Sequence, residues 1–293
     1  MQQRATFIAE FPTAAFLRAD CSPKKCDLRD HIFASLEGCL FTAEVRVTTP
    51  GLVCGVELAR TKAESVGCVV LDSLADGAAV LNTQPVLCLR GSAKAVAMAE
   101  DCVPGAIAKF SSIARAARYS QELAGGRVRV VSGATKKMPE EIKAQVRRAI
   151  HCGGGCKCIS DRPFLYLDKN YVRMFGGVRQ TLAAVSAMPG YVRALQLRGL
   201  IDSLATEARA AIEMKVEILM VDTGRLEDLD MVATMVRESG RRQNTTIAFA
   251  GDITMEDIPA IVTHDVDILD VGRAIIDAPM VDIKVDVISR ETA

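Results

Sequence analysis

Two lysines stand side by side in GATKKMP, residues 133–139, between the apolar run VRVV and the segment PEEIKAQVRRAI. Paired cations at the end of a strand attract a diphosphate or a carboxylate, so Lys136 and Lys137 are candidate anion ligands; the plain alternative is a solvated loop. A second group follows: His151 and Cys152, three glycines, then Cys156 and Cys158. Cys-x3-Cys-x-Cys spacing can take a soft metal, but structural metal sites favour two separated pairs and this is one cluster. Three consecutive glycines argue more simply for tight backbone passage at a helix end. Asp222 closes the apolar run VEILMV. A carboxylate there can hold Mg2+ or ribose hydroxyls, or cap the next helix. AGDIT (250–254) and DVGRA (270–274) end two further runs. Gly251 and Gly272 let backbone N–H groups approach an anion closely, as helix N-termini also do. Arg273 adds a charged fork.

These residues need elements to position them. After Gly126 the chain alternates. VRVVSGA, RPFLYLDK, VRALQLR, VEILMVD, TTIAFAG and VDILDVG read as strands, and helical segments separate them. In IDSLATEARAAIEM, Ile201, Leu204, Ala208 and Ile212 share one helical face. Strand–helix alternation repeated in this way predicts a parallel sheet closed or partly closed into a barrel, with a doubly wound open sheet as competitor. Either fold gathers its chemistry at the carboxyl ends of the strands. That rule selects Gly133 to Lys137, Asp168 and Lys169, Gln196 and Arg198, Asp222 and Thr223, Gly251 and Asp252, and Gly272 and Arg273.

The first hundred or so residues read as mixed strands and short helices. A helical stretch from Glu100 to Ala124, with Pro104 near its start, is the candidate bridge to the barrel. Of the ten cysteines, Cys54, Cys68 and Cys88 lie in apolar runs and read as core filler. The 36 basic and 36 acidic residues balance, which argues against a nucleic-acid partner. No apolar run approaches the roughly 20 residues of a membrane span. The N-terminus lacks a clean apolar signal core, so a cytoplasmic location is expected.

In order along the chain, these features resemble quinolinate phosphoribosyltransferase, the carboxylating nicotinate-nucleotide pyrophosphorylase family. GLVCGVELA, LADGAAV, VLCLRGSAKAVAMAE, FSSIARAAR, GATKKMP, HCGGGCKC, LDKN, LMVDTGRLEDL, AFAGDIT and DILDVGRAIIDAP stand where that family has its motifs. The resemblance implies an α/β fold: an N-terminal α/β sandwich domain over 1–115 and an incomplete, TIM-like α/β barrel over 116–274. The segment from about 275 to 293 is expected to pack back on the first domain. It implies a homo-oligomer and a small phosphoribosyl substrate, with Mg2+ as cofactor. Lys136, Lys169 and Asp222 would be catalytic. Lys137, Arg162, Arg198, Thr223, Gly251, Asp252, Gly272 and Arg273 would bind substrate or phosphate.

Departures from the family pattern are concentrated. Asp101 and Thr135 stand where the family has arginines, Cys158 and Ile159 where it has a His-Arg pair, and Gln196 or Arg198 where it has a glutamate. The altered positions are those that would meet quinolinate's two carboxylates, and a buried dianion needs such cations. Arg162, Arg173, Lys137 and Arg198 could compensate. The expectation is therefore a phosphoribosyltransferase with an altered aromatic acid. The alternative is a non-catalytic or metal- and thiol-handling homologue built on Cys152, Cys156 and Cys158.

Overall fold

The structure is a computed structural model that describes residues 27–81, 84–156 and 158–292. Among the described residues, those up to Glu37 form one unit and those from Gly38 onward a second. In the first, helix α1 (Leu28–Ile32) starts at Asp27, whose carboxylate accepts the Arg29 N–H at 3.0 Å.

The second unit holds two main sheets. The first is antiparallel and is built from β1 (Cys39–Val47), β3 (Val69–Ser73), β5 (Pro85–Gly91) and β12 (Ile283–Thr292), in the order β12-β1-β5-β3. Strands β2 (Gly51–Leu52) and β4 (Ala79–Val80) form a separate short ladder. Alternation along β1 buries Ala43, Val45 and Val47 on one face. Helices α2 (Val56–Ser65) and α3 (Ala93–Cys102) cover that face with Val56, Ala59, Ala63, Ala95, Val96 and Ala99. Cys68 joins this core, Cys54 is buried in the neighbouring one, and Cys88 is half-buried.

Helix α4 (Pro104–Ala124) is longer than its neighbours because small residues let it pass between two cores. Its first turn gives Ala106 and Ile107 to the sheet core; Phe110, Ile113, Ala114 and Ala117 enter the barrel core. The helix expected from Glu100 is in fact two helices, interrupted at Val103. Pro104 lacks an N–H and its ring crowds the preceding backbone, so α3 ends and α4 begins there.

The second sheet is parallel: β6 (Arg129–Val131), β7 (Phe164–Leu167), β8 (Val192–Leu197), β9 (Ile218–Asp222), β10 (Thr246–Ala250) and β11 (Ile268–Asp270). Its spatial order is β7-β8-β9-β10-β11-β6. The strands follow chain order and then return to the first one, which is the order of a ring. A doubly wound sheet would reverse at an internal switch point instead. Among the described residues the ring is open between β6 and β7, as an incomplete barrel requires. Outside it lie α5 (Glu140–Cys152), α6 (Lys169–Phe175), α7 (Val178–Ala184), α8 (Leu204–Glu213), α9 (Leu226–Glu238), α10 (Ile258–Ile261) and α11 (Arg273–Ile276). Among the described residues no helix is long and apolar enough to cross a membrane.

The triple glycine lies along the open edge of β6. A Cβ on Gly153 would stand 2.2 Å from the Ala114 carbonyl oxygen, so only glycine lets the end of α5 press against α4. The chain then turns back, and Cys156 N–H donates to the Val130 carbonyl at 3.0 Å, forming a parallel bridge with Val131. This path separates the cysteines. Cys152 packs on the core between helices and sheet, beside Cys54, whereas Cys156 packs inside the barrel. No group of His, Cys, Asp and Glu able to hold a metal forms among the described residues. The soft-metal cluster of Cys152, Cys156 and Cys158 is therefore not assembled, because the glycines send Cys152 and Cys156 to different cores.

Candidate functional site

Inward-facing residues of the barrel strands follow one pattern. Tyr166, Ala194, Met220, Ala248 and Ile268 form an apolar layer. Two residues further on, and so on the same side of each strand, come Asp168, Gln196, Asp222, Ala250 and Asp270. The barrel is apolar inside and polar at its carboxyl mouth. Asp222 and Asp270 both stand in register with Ala250, on the strands either side of it.

Hydrogen bonds and ion pairs run around this mouth. Lys136 Nζ lies 3.7 Å from Asp168 Oδ2, linking the loop after β6 to the end of β7. Asp168 caps α6 by accepting the Asn170 N–H at 2.8 Å. Gln196 accepts the Lys169 N–H at 2.8 Å and donates its amide to Asp222 Oδ2. Arg198 Nη1 stands 3.5 Å from the same oxygen. Buried Glu207 fixes the loop that carries Arg198, accepting the N–H groups of Arg198, Gly199 and Leu200 at 3.1, 2.8 and 3.1 Å. Asp270 Oδ1 accepts the Gly133 N–H at 2.7 Å, which ties β11 to β6. Arg273 pairs with Asp252 at 3.0 Å. Thr223 Oγ1 accepts the Arg225 N–H at 3.3 Å.

The glycine loops meet closely. Gly224 N–H donates to the Ala250 carbonyl at 3.0 Å, and a Cβ on Gly251 would sit 2.3 Å from Gly224 N. Gly251 also has φ +125°, a backbone state that favours glycine. The helices after β10 and β11 have four residues each, so N–H groups of the glycine turns rather than long helix ends are what an anion would meet.

Carboxylates crowd the mouth. Burial pushes the Asp270 carboxyl up, and nearby Asp222 adds to this against the opposing pull of the Gly133 N–H and of Lys136 and Lys137. Burial also raises the Tyr166 phenol, helped by Asp270, Asp222 and Asp168. Charges held close in a cleft in this way are typical of working sites.

Of the residues selected from sequence, Lys136, Lys137, Lys169, Arg198, Asp222, Thr223, Gly251, Asp252, Gly272 and Arg273 all lie at the carboxyl ends of the ring. Arg162 does not. It precedes β7, and a residue that precedes a strand sits at the strand's amino end, where Arg129 and Arg193 also lie. Asp270 and Tyr166 escaped the sequence reading. The signal was there for Asp270: Val221-Asp222-Thr223-Gly224 and Leu269-Asp270-Val271-Gly272 repeat one apolar–Asp–x–Gly pattern.

Asp222 offers a metal little. One oxygen already accepts from Gln196 and faces Arg198. Mg2+ commonly binds through one or two carboxylates plus substrate phosphates and water. The donor set therefore fits an ion carried in on a diphosphate and not a resident ion.

Known proteins share this architecture. The probable carboxylating nicotinate-nucleotide pyrophosphorylase of Archaeoglobus fulgidus is 24% identical over 240 residues, covering 81% of this chain and 91% of that protein. The carboxylating nicotinate-nucleotide pyrophosphorylase of Homo sapiens is 23% identical over 248 residues, with 84% and 82% covered. The solved nicotinate-nucleotide pyrophosphorylase of Francisella tularensis superposes with a TM-score of 0.75 at 20% identity, covering 90% of this chain and 91% of that one. Residues 113–286, more than half of the chain and all of the parallel ring, match the family described as quinolinate phosphoribosyl transferase, C-terminal domain. With ring order, mouth and sequence in agreement, the chain belongs to the quinolinate phosphoribosyl transferase family.

Proposed function

We propose that this chain is a phosphoribosyltransferase of the carboxylating nicotinate-nucleotide pyrophosphorylase type. It joins phosphoribosyl diphosphate to an aromatic acid. The nitrogen of a pyridine acid bonds to C1′ as the C1′–oxygen bond to diphosphate breaks. The carboxylate beside that nitrogen then leaves as CO2, and the ring carbon takes a proton. Positioning and charge stabilisation do most of this work. The observation that carries the reading is the continuous polar circuit at the mouth, Lys136–Asp168, Gln196–Asp222–Arg198 and Asp270–Gly133, set above an apolar barrel interior.

Lys136 and Lys169 meet phosphate or carboxylate oxygens, with Lys137 beside them. Asp222, oriented by Gln196 and Arg198, would hold ribose hydroxyls or Mg2+ arriving with diphosphate, a cation that would supply charge neutralisation to the leaving group. Gly251, Gly272 and Arg273 receive the 5′-phosphate, with Thr223 and Asp252 lining its path. The acceptor is an aromatic acid other than quinolinate. Thr135 is buried, and it supplies no charge to a second carboxylate. In this reading the chain works as a homo-oligomer. Exposed Tyr171, Met174 and Phe175 on α6 are large apolar groups that a second copy would cover.

The test is diphosphate release from phosphoribosyl diphosphate with a panel of pyridine mono- and dicarboxylic acids. Turnover with at least one acid is expected, and Asp222→Ala should lower kcat/KM on the order of 100-fold. Folded protein that releases diphosphate with no acid in the panel would refute the reading.

A further inference from the structure

At the end of the barrel opposite Lys136 and Asp222, the amino ends of the strands surround a cavity of about 1350 Å3. Its floor is apolar, because Ile159, Val192, Ile218 and Ile268 close the barrel interior there. Its walls are charged, and the charges fall into two sets.

One set is spent on structure. Arg193 donates to Glu217 at 3.1 Å and to the carbonyls of Met214 and Lys215 at 3.3 and 2.8 Å. Arg242 donates to Asp265 and Asp267 at 2.8 Å each and to the Thr245 carbonyl at 3.1 Å. Arg129 pairs with Asp161 at 3.2 Å. Each acidic side chain on the wall thus meets an arginine, and Asp265, which shares Arg242 with Asp267, also faces Arg237 at 3.5 Å.

The other set is left over. Arg162, Lys215 and Arg241 line the same cavity, and none of their side chains makes a hydrogen bond or ion pair with a described residue. They come from three separate segments, before β7, before β9 and before β10. Lys215 is held at φ +59°, a backbone state that a lysine adopts only at a cost, and the Arg193 bond to its carbonyl helps to keep it there. Three cations without partners among the described residues, set around one concave site, add positive potential to it, and Arg241 Nε is buried with no acceptor among those residues. An arginine fork matches phosphate geometry, and arginine and lysine can only donate, so the missing partner is an acceptor. Cations spread over three segments suit several linked charges better than a single carboxylate.

We propose that this cavity is a second binding site, for a small molecule carrying a di- or triphosphate group, with Arg162, Lys215 and Arg241 as its ligands. It shares no residue with the mouth, so it stands or falls independently of the transferase reading.

Calorimetric titration of the full chain with inorganic triphosphate, in about 150 mM salt to screen long-range attraction, tests it. The mouth variant Lys136→Ala/Arg273→Ala should keep one triphosphate site. Arg162→Ala/Arg241→Ala should weaken that site at least tenfold, and Lys215→Glu should weaken it further. Melting temperatures without triphosphate should match wild type, since all three side chains lack partners to lose. Undiminished binding in Arg162→Ala/Arg241→Ala overturns the proposal. So does the loss of all binding in the mouth variant, an outcome that leaves the transferase reading intact.

Discussion

The two ends of one barrel solve the same problem differently. At the carboxyl mouth, Asp168, Asp222 and Asp270 converge, and the groups that satisfy them are partly neutral: an amide from Gln196 and a backbone N–H from Gly133. Charge there is imperfectly compensated, and burial, with Asp222 adding to it, pushes the Asp270 carboxyl up. At the amino end each acid meets an arginine: Asp265 and Asp267 share Arg242, and Asp265 also faces Arg237 at 3.5 Å. Those bonds hold the Arg242 guanidinium even more firmly protonated than usual. Carboxylates that each meet an arginine at one end, and are partly uncompensated at the other, separate ion pairs that stabilise the barrel from acids held in reserve for chemistry. The sharpest way to break this contrast is to perturb each end and compare stability with activity.

The largest effect is expected at the mouth's backbone. Gly251→Ala would drive a Cβ to 2.3 Å from Gly224 N and 2.6 Å from its Cα, at φ +125°. Neither neighbour is a flexible side chain, so backbone must move. A loss of about 3 kcal/mol in urea unfolding is expected, at the upper part of the overpacking range, together with loss of phosphoribosyl transfer. A near-wild-type midpoint would mean that the two glycine loops do not touch as described.

A smaller loss is expected at the amino end. Arg242→Met keeps the aliphatic stem but leaves Asp265, Asp267 and the Thr245 carbonyl short of a donor. Destabilisation of about 2 kcal/mol follows from the partly buried carboxylates left behind. Transfer activity per folded molecule should hold, because no mouth residue is touched. An activity loss exceeding the stability loss would erase the distinction between the two ends.

The contrast also explains what could be read from sequence. Barrel strands such as VEILMVD and TTIAFAG are short apolar runs with a polar residue at the end, so both the strand and its mouth position were legible. Strand β12 was not legible as a strand, since most of it is exposed; that its segment packs back on the first domain was expected only from the resemblance, and its pairing with β1 spans more than two hundred residues. Helix α6 escaped because it has seven residues and depends on the Asp168 cap. Arg162 was misplaced because charge alone does not say at which end of a strand a residue sits. The cysteine spacing misled for a related reason: three glycines can reverse a chain within a few residues, so neighbours in sequence face different cores. Asp270 went unnoticed because its carboxylate matters only beside Asp222, and that proximity comes from β9 and β11 flanking β10.

Asp270 gives the finest test. Burial and Asp222 disfavour its charged form in the folded state, so its folded pKa lies above the unfolded value of about 3.9. Below that value both states hold the proton and the group contributes nothing. As pH rises, the unfolded chain releases the proton first, so ionisation favours unfolding until the folded pKa is passed. Asp270→Asn removes this penalty and still offers an oxygen to the Gly133 N–H. The variant should therefore be more stable than wild type at pH 7, and the gain should shrink as pH falls toward 4 and vanish below it. Melting curves of both proteins across that range check the sign. A gain that persists unchanged at pH 3 would point to packing in place of charge, and the mouth would then be no more strained electrostatically than the amino end.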